Sequence, residues 1–221
     1  AGKPDVITTY GYDIHDNLTT LTDPNGSVTT WVWDDFRRLR SQTSPVTGTT
    51  TYTYDEAGNL LTSTDANTAV TTRTYDGAGR LLTASSVRSG RPTELVTNTY
   101  DDTVATYGKG RLKSASVSEG GTATSSVTYT WDRRGLPRSE TETIRGTVFT
   151  ISFGNDANGN RTRVTYPSGR VVTYTYDFAG NVVGIKDSTF GQAGPRIWTF
   201  GYDGLERLVS VRRSDYFSGD S

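Results

Sequence analysis

The sequence predicts an all-β protein built from a repeated antiparallel hairpin. Three observations carry this prediction: a short motif that recurs along the chain, turn residues at regular intervals, and an abundance of strand-forming residues. The 221 residues include 39 Thr, 13 Tyr and 4 Trp, which are types that favour β-strands. No segment shows the 3.6-residue apolar period that is typical of a helix packed on one face.

The recurring motif is an aromatic residue followed by Asp, and its first four copies are spaced by 21 residues. Self-similarity at such a period indicates a repeat architecture. We therefore expect a single segment of about nine repeat units over residues 1–221, with a core at 6–213 and insertions near 84–99, 113–126 and 186–197. The motif stands at Tyr12-Asp13, Trp33-Asp34, Tyr54-Asp55, Tyr75-Asp76, Tyr100-Asp101, Trp131-Asp132, Tyr176-Asp177 and Tyr202-Asp203, and Asn155-Asp156 fills the gap in the series.

Each unit contains two turns, of which the first follows the motif as D-x-x-G and the second is clearest at Asp23-Pro24-Asn25-Gly26. Asp at the first position, Pro at the second and Gly at the fourth favour a type I turn. A fourth residue in the left-handed conformation closes a hairpin with a bulge, and Gly accepts that conformation without steric cost. We therefore expect positive φ at Gly58, Gly79 and Gly180. Arg37 and Glu206 occupy the same slot, and adopting the left-handed conformation there would cost each of them about 1 kcal/mol.

The stretch TYTYDEAGNLLTSTD, residues 51–65, is the model hairpin. Since strand side chains alternate, Tyr52, Tyr54 and Leu60 should share one face, and Thr51, Thr53 and Leu61 the other. The expected cross-strand pairs are Asp55/Asn59, Tyr54/Leu60, Thr53/Leu61 and Tyr52/Thr62. The equivalent aromatic–aliphatic pairs are expected at Tyr12/Leu18, Trp33/Leu39, Tyr75/Leu81, Tyr176/Val182 and Tyr202/Leu208.

The motif residues are predicted to be structural. The aromatic residue anchors the sheet, Asp binds the backbone N–H groups of the turn, Gly turns the chain, and Asn or Arg partners the Asp. The residues with this predicted role are Tyr12, Asp13, Trp33, Asp34, Arg38, Tyr54, Asp55, Gly58, Asn59, Leu60, Tyr75, Asp76, Gly79, Arg80, Leu81, Trp131, Asp132, Asp156, Gly159, Tyr176, Asp177, Gly180, Asn181, Tyr202, Asp203, Arg207 and Leu208.

The number of repeats sets an expectation for the whole sheet. About eighteen strands spaced by about 4.8 Å would give a width of roughly 85 Å. Open twisted sheets rarely exceed about ten strands without curling. Closed barrels of 16–18 strands are too wide for side chains to fill. We therefore expect an open or partial, hollow β wall.

Composition narrows the classes of partner and site. A net charge of −1 gives no basic field for nucleic acid or for an anionic membrane. No apolar run approaches the roughly 18 residues of a membrane-spanning helix. The absence of Cys excludes disulfides and thiolate sites. Because the first residue is Ala and there is no Met, we expect a piece of a longer protein.

The segments YDEAGNLLTSTD, YDGAGRLLTAS, YDFAGNVVGIKD and YDGLERLVSV resemble the YD-repeat (Rhs) family. This family includes bacterial Rhs polymorphic toxins, shell components of insecticidal toxin complexes, and teneurins. The resemblance covers residues 6–213 and implies that the repeats coil as a β-spiral into a hollow shell. In bacterial members it implies that the shell encloses a C-terminal toxin domain, in a secreted or cell-surface protein. The absence of Cys fits a bacterial member.

Catalytic and metal sites find little support in the sequence, and no cofactor is expected. His15 is the only His and lies in the first turn, without the Ser spacing of a nucleophilic triad. The many carboxylates recur as turn residues and not as a glycosidase pair. A calcium loop at 156–160 would need Gly and Glu where Arg161 and Pro167 stand.

The Trp residues offer a candidate ligand surface. Trp33 and Trp131 occupy the motif position, which indicates packing. Trp31 lies two residues before the motif position, and Trp198 four residues before it. We keep Trp31 and Trp198 as candidates for carbohydrate stacking.

The leading hypothesis is a structural one, in which the chain is a shell segment without catalytic activity. Its partners would be the remaining repeats and the enclosed cargo domain. The alternative is a cell-surface adhesin that binds glycans or proteins through inserted loops such as 84–99 and 113–126. An enzyme, for example a polysaccharide-degrading β-solenoid, is the third hypothesis.

Overall fold

The structure is a computed structural model, and it describes residues 6–101, 107–187 and 196–213. Within these ranges the chain forms strands and turns and no helix, so the prediction of an all-β fold is confirmed. It follows that no described segment is a helix of the length and apolarity needed to span a bilayer.

In the described residues, eighteen strands form one sheet. Consecutive strands along the chain pair antiparallel wherever the register is described, from β1 with β2 to β17 with β18. The strands are β1 Thr9–Tyr12, β2 Leu18–Thr22, β3 Val28–Trp33, β4 Leu39–Ser44, β5 Gly48–Tyr54, β6 Leu60–Thr64, β7 Val70–Tyr75, β8 Leu81–Val87, β9 Glu94–Tyr100, β10 Leu112–Glu119, β11 Thr122–Trp131, β12 Pro137–Ile144, β13 Thr147–Asn155, β14 Arg161–Thr165, β15 Val171–Tyr176, β16 Val182–Asp187, β17 Arg196–Tyr202 and β18 Leu208–Arg213.

The chain divides into two compact units. Unit 1 comprises Ala1–Asn98 and Ser116–Thr124, and unit 2 comprises Thr99–Ala115 and Ser125–Ser221. Each unit contains several complete motif hairpins, so the turn chemistry described below can be compared within each.

Strand β5 shows the alternation of Thr and aromatic residues along a motif strand. In β5 every second residue is exposed, and the exposed positions are Thr49, Thr51 and Thr53. Tyr52 and Tyr54 are half-buried on the opposite face. Within β5 this alternation confirms the predicted placement of Tyr52 and Tyr54 on one face and of Thr51 and Thr53 on the other.

The predicted aromatic–aliphatic pairs and the pair Asp55/Asn59 are confirmed, but the pairs Thr53/Leu61 and Tyr52/Thr62 were predicted wrongly. Tyr54 lies opposite Leu60, whereas Thr53 pairs with Thr62 and Tyr52 with Ser63. A bulge places the extra residue Leu61 in the returning strand. The prediction took the residues after the turn as a regular ladder. The confirmed equivalents of Tyr54/Leu60 are Tyr12/Leu18, Trp33/Leu39, Tyr75/Leu81, Tyr176/Val182 and Tyr202/Leu208.

The backbone conformation of the turns agrees with the prediction. Gly58, Gly79 and Gly180 have φ of 87°, 76° and 90°. Arg37 and Glu206 hold the same slot with φ of 61° and 60°, a left-handed conformation that side chains other than Gly adopt at a cost. The slot itself, set by the turn type, therefore dictates the conformation.

Segments that were expected to be inserted loops are mostly strand. Residues 84–87 and 94–99 lie in β8 and β9, and 113–119 and 122–126 lie in β10 and β11. Of the third predicted insertion, residues 188–195 lie outside the described residues. Few residues of 84–99 and 113–126 therefore lie in loops that could form the binding surface of the adhesin hypothesis.

Burial within the sheet is shallow. Ala69, Val164 and Val172 are the buried apolar side chains in the described part of the chain, each with 6–7% of its surface exposed. No described side chain is fully enclosed. Stability must therefore come largely from the strand ladder and from polar contacts at the turns.

Candidate functional site

Each of the repeated Asp turns is closed by several hydrogen bonds. In the turn of residues 55–59, one carboxylate oxygen of Asp55 accepts a bond from the Asn59 backbone N–H at 2.7 Å. The other oxygen accepts from the Asn59 side-chain amide at 2.9 Å. The same two bonds join Asn17 to Asp13, Asn160 to Asp156 and Asn181 to Asp177. These contacts match the predicted partnership of Asp with Asn.

A second version of the turn uses Arg in place of Asn. The Nε atom of Arg38 donates to Asp34 at 2.7 Å, and its backbone N–H donates to the other carboxylate oxygen at 2.8 Å. Arg80 bonds Asp76 and Arg207 bonds Asp203 in the same way. Asn and Arg are therefore interchangeable partners of the Asp, but only Arg neutralises its charge.

These bonds lower the pKa of the motif carboxyls. The side-chain amide of Asn59 is the main cause for the lowered pKa of Asp55. At Asp177 the Asn181 backbone N–H is the main cause, and at Asp203 it is the Arg207 backbone N–H. Since each bond is made to the ionised form, all three carboxylates are held charged in the folded protein.

At five repeats the motif aromatic residue joins its hairpin to the one before it. The hydroxyl of Tyr54 donates to the backbone carbonyl of Leu39 at 2.9 Å, and the hydroxyl of Tyr75 donates to Leu60 at 2.9 Å. The acceptor is the residue that begins the returning strand of the preceding repeat. The same bond is made by Tyr176 to Arg161, by Tyr202 to Val182, and through the indole N–H by Trp33 to Leu18.

Arg38 links two successive turns. Beyond its bonds to Asp34, its guanidinium donates to the backbone carbonyl of Asp55 at 3.0 Å. The same group lies 5.0 Å from the centre of the Tyr54 ring and 5.1 Å from that of Phe36. Arg134 makes a similar bridge, donating to Asp132 and to the carbonyls of Asp156 and Ala157. A guanidinium between two turns is thus a recurring arrangement.

Trp131 departs from this arrangement. Its indole N–H is buried and has no hydrogen-bond partner in the described part of the chain. Its ring stacks on Tyr129 at 6.1 Å and lies under the guanidinium of Arg111 at 5.1 Å. The packing role predicted for the ring fits these contacts, although the bond made by Trp33 is missing here.

Grooves lie between successive Asp turns, and the motif Tyr lines each of them. One groove of unit 1 is lined by Phe36, Arg38, Tyr54 and residues 55–58. The next is lined by Asn59, Leu61, Arg73 and Tyr75, together with its two turns. A third groove, in unit 2, is lined by Asp156, Asn158, Asn160, Thr162, Tyr174, Thr175, Tyr176, Asp177 and Phe178.

The other candidate residues are dispersed. Trp31 is half-buried on β3 in unit 1, and Trp198 lies on β17 in unit 2 with 37% of its surface exposed. His15 lies in an exposed turn, where its backbone N–H donates to Asp13 at 2.8 Å. Within the described ranges, no group of three or more His, Asp or Glu residues is arranged to hold a metal ion. The carbohydrate-stacking role of Trp31 and Trp198 remains a prediction.

The links between repeats were missed by the sequence reasoning. The signal was present, because Tyr54 and Tyr75 each stand fifteen residues after their acceptors. Which carbonyl meets the hydroxyl depends on the stagger between neighbouring strands, and the period of the motif alone does not give that stagger.

Solved structures resemble the whole of this fold. The crystal structures of TcdB2-TccC3 with Cdc42 and of TcdB2-TccC3 alone each match with a TM-score of 0.79 and 18% identity. Each match covers 96% of this chain and 12% of the other, so the chain spans about an eighth of their length. At this identity the likeness concerns the fold. No curated protein sequence matches the chain.

A sequence model of one family matches the chain several times over. The RHS repeat model matches at residues 5–28, 12–49, 33–70, 54–92 and 156–192. These matches overlap in the first half of the chain at steps of about 21 residues, in agreement with the spacing of the motif. Together they cover more than half of the sequence, and the chain therefore belongs to the RHS repeat family.

Proposed function

We propose that this chain is a length of wall in a β-sheet shell that encloses a C-terminal toxin or another cargo segment of the same polypeptide. In this proposal the chain has no catalytic role, and the parent protein is exported from a bacterial cell. Its partners are the further repeats of the wall and the enclosed segment.

The observation that carries the proposal is the bond between successive repeats. Within unit 1 the motif residues Trp33, Tyr54 and Tyr75 each donate to the backbone of the preceding repeat. Tyr176 and Tyr202 do so within unit 2. Repeats that are tied only to their neighbours form arrays that lengthen by adding units. Such an array suits a wall, and the match to the TcdB2-TccC3 structures adds support at the level of fold.

The carboxylates also favour a structural role over catalysis. Asp55 and Asp177 accept hydrogen bonds from their own turns on both oxygens. A carboxylate whose pKa is lowered in this way is a poor general acid or base near neutral pH. The density of Asp in the sequence is thus explained by hairpin closure.

Limited proteolysis of the complete parent polypeptide tests enclosure. We expect the cargo segment to resist protease as long as the wall is folded, and to be cleaved only under conditions that unfold the wall. The same segment produced alone is the control and should be cleaved readily. Equal cleavage rates for the free segment and the segment within the parent protein would contradict enclosure. Specific binding of the 221-residue chain to a glycan array would instead favour the adhesin hypothesis.

A further inference from the structure

The groove of unit 2 between the turns 156–160 and 177–181, here called the Tyr176 groove, differs from its equivalents in what fills it. The groove between turns 34–38 and 55–59 contains the chain's own Arg38 guanidinium, stacked on Tyr54 and Phe36. The groove between turns 132–136 and 156–160 is crossed by Arg134. At the position of Arg38, the Tyr176 groove has Asn160.

Asn160 does not reach across the groove as Arg38 does. Its amide donates to Asp156 at 3.1 Å within its own turn. Tyr176 corresponds to Tyr54 and keeps the hydroxyl bond to the preceding repeat at 2.7 Å. The nearby guanidinium of Arg161 stacks on Phe153 at 3.9 Å. The Tyr176 groove therefore keeps the Tyr ring on which a guanidinium stacks in the equivalent groove. The residue at the position of Arg38 is Asn160, which is shorter and uncharged.

The walls of the Tyr176 groove suit a cation. Tyr174, Tyr176 and Phe178 present three aromatic rings, and Phe178 is fully exposed at the tip of its turn. Cations are attracted to the faces of such rings. Asp156 and Asp177 add two carboxylates that are bonded by neutral Asn donors. In the described part of the chain neither carboxylate forms an ion pair, unlike Asp34 with Arg38.

We propose that the Tyr176 groove binds a guanidinium group presented by the arginine side chain of another polypeptide segment. The ligand would occupy the place that Arg38 occupies in its own groove, stacked on Tyr176 and hydrogen-bonded to the backbone carbonyl of Asp177. That carbonyl corresponds to the one of Asp55 that accepts from Arg38. The equivalent groove at Tyr75 is lined by Arg73, a cation of the chain itself, and is the weaker candidate. The inference does not depend on the shell proposal.

Nuclear magnetic resonance titration of the 221-residue chain tests the proposal. The probe is a short peptide with blocked ends whose one charged side chain is a central Arg. The same peptide with citrulline in place of Arg is the control, because citrulline keeps the shape and lacks the charge. We expect the Arg peptide, and not the citrulline peptide, to shift the ring signals of Tyr174, Tyr176 and Phe178. Titration with free L-arginine shows whether the groove binds an arginine side chain of a polypeptide or any guanidinium compound. Shifts with the peptide alone identify a polypeptide arginine, and equal shifts with both assign the groove to guanidinium compounds in general.

Two matched variants locate the site. Asn160→Arg places a guanidinium in the Tyr176 groove, as Arg38 does in its groove, and should abolish the ring shifts. Asn59→Arg makes the same change in a turn of unit 1 that does not line the Tyr176 groove, and it should leave the ring shifts intact. Phe178→Ala, at an exposed turn tip, should weaken binding by about two- to fivefold without affecting folding. Ring shifts that are absent at millimolar peptide, equal with citrulline, or unchanged in Asn160→Arg would overturn the proposal.

Discussion

At the scale of single residues, the motif Tyr makes two contacts, one within its own hairpin and one with the preceding repeat. Its ring packs across the hairpin against an aliphatic residue, as Tyr54 does with Leu60. Its hydroxyl leaves the hairpin and bonds the backbone of the preceding repeat at Leu39. Burial raises the pKa of Tyr54 above its ordinary value, so the hydroxyl keeps its proton and remains a donor well above neutral pH. A residue that serves two neighbours in this way makes the repeats cooperate.

The hydroxyl bond can be removed without removing the ring. We expect Tyr54→Phe to lower the free energy of unfolding by about 0.5–1.5 kcal/mol, the net value of a typical hydrogen bond. Urea denaturation followed by circular dichroism measures this change. Tyr12→Phe is the control, because the Tyr12 side chain is 60% exposed in the first repeat, and its effect should be near zero. Equal effects of the two substitutions would contradict the role of the bond.

At the scale of the hairpin, the turn conformation is stricter than the choice of residue. The fourth turn position is left-handed whether it holds Gly58, Arg37 or Glu206. The bulge lies next to the turn, where the register shifts between Thr53 and Tyr54. The same shift recurs in other motif hairpins whose register is described. The hairpin thus keeps one backbone geometry, and residues other than Gly at the fourth turn position adopt it with more backbone strain.

Substitution of two glycines in neighbouring turns distinguishes the effect of backbone strain on stability from the effect of packing. Gly58 has φ of 87° and Gly77 does not have positive φ, while neither has a neighbouring atom within 4 Å of an added Cβ. We therefore expect Gly58→Ala to lower the free energy of unfolding by about 1–2 kcal/mol. Gly77→Ala should be neutral or raise it by up to about 1 kcal/mol. Thermal unfolding of both variants measures the difference, and a harmless Gly58→Ala would show that the strain argument is wrong.

At the scale of the whole molecule, the repeated carboxylates couple stability to pH. The pKa is lowered at many turns along the chain, namely at Asp13, Asp34, Asp55, Asp76, Asp132, Asp156, Asp177 and Asp203. A carboxyl with a lower pKa in the folded state than in the unfolded state stabilises the fold when ionised. Many weak contributions of the same sign add along the array.

We therefore expect the melting temperature to be constant from about pH 7 to pH 5 and to fall as the pH drops through about 4 and below. The stabilisation is fully present above the unfolded-state pKa of about 3.9 and is lost as pH falls through the lower folded-state values. Scanning calorimetry at a series of pH values measures this profile. Asp177→Asn should make it shallower by removing one contributor. A flat profile between pH 6 and pH 3 would contradict the coupling.

The sequence alone determined the features that depend on local chain geometry. The all-β class, the positions of the motif turns, the positive φ at Gly58 and the pairing of Asp55 with Asn59 follow from contacts within about five residues. The pairing of Tyr54 with Leu60 follows from the turn length together with the two-residue period of a strand. Such contacts are nearly the same in any hairpin with this turn.

Only the tertiary structure decided how one repeat meets the next. The stagger between strands of neighbouring repeats decides that the Tyr54 hydroxyl meets the Leu39 carbonyl and that Arg38 reaches Asp55. The Tyr176 groove depends on the same stagger, since its walls come from two successive turns. Contacts between repeats join residues that are distant in the chain. They therefore depend on the relative position of neighbouring strands and not on a local sequence pattern.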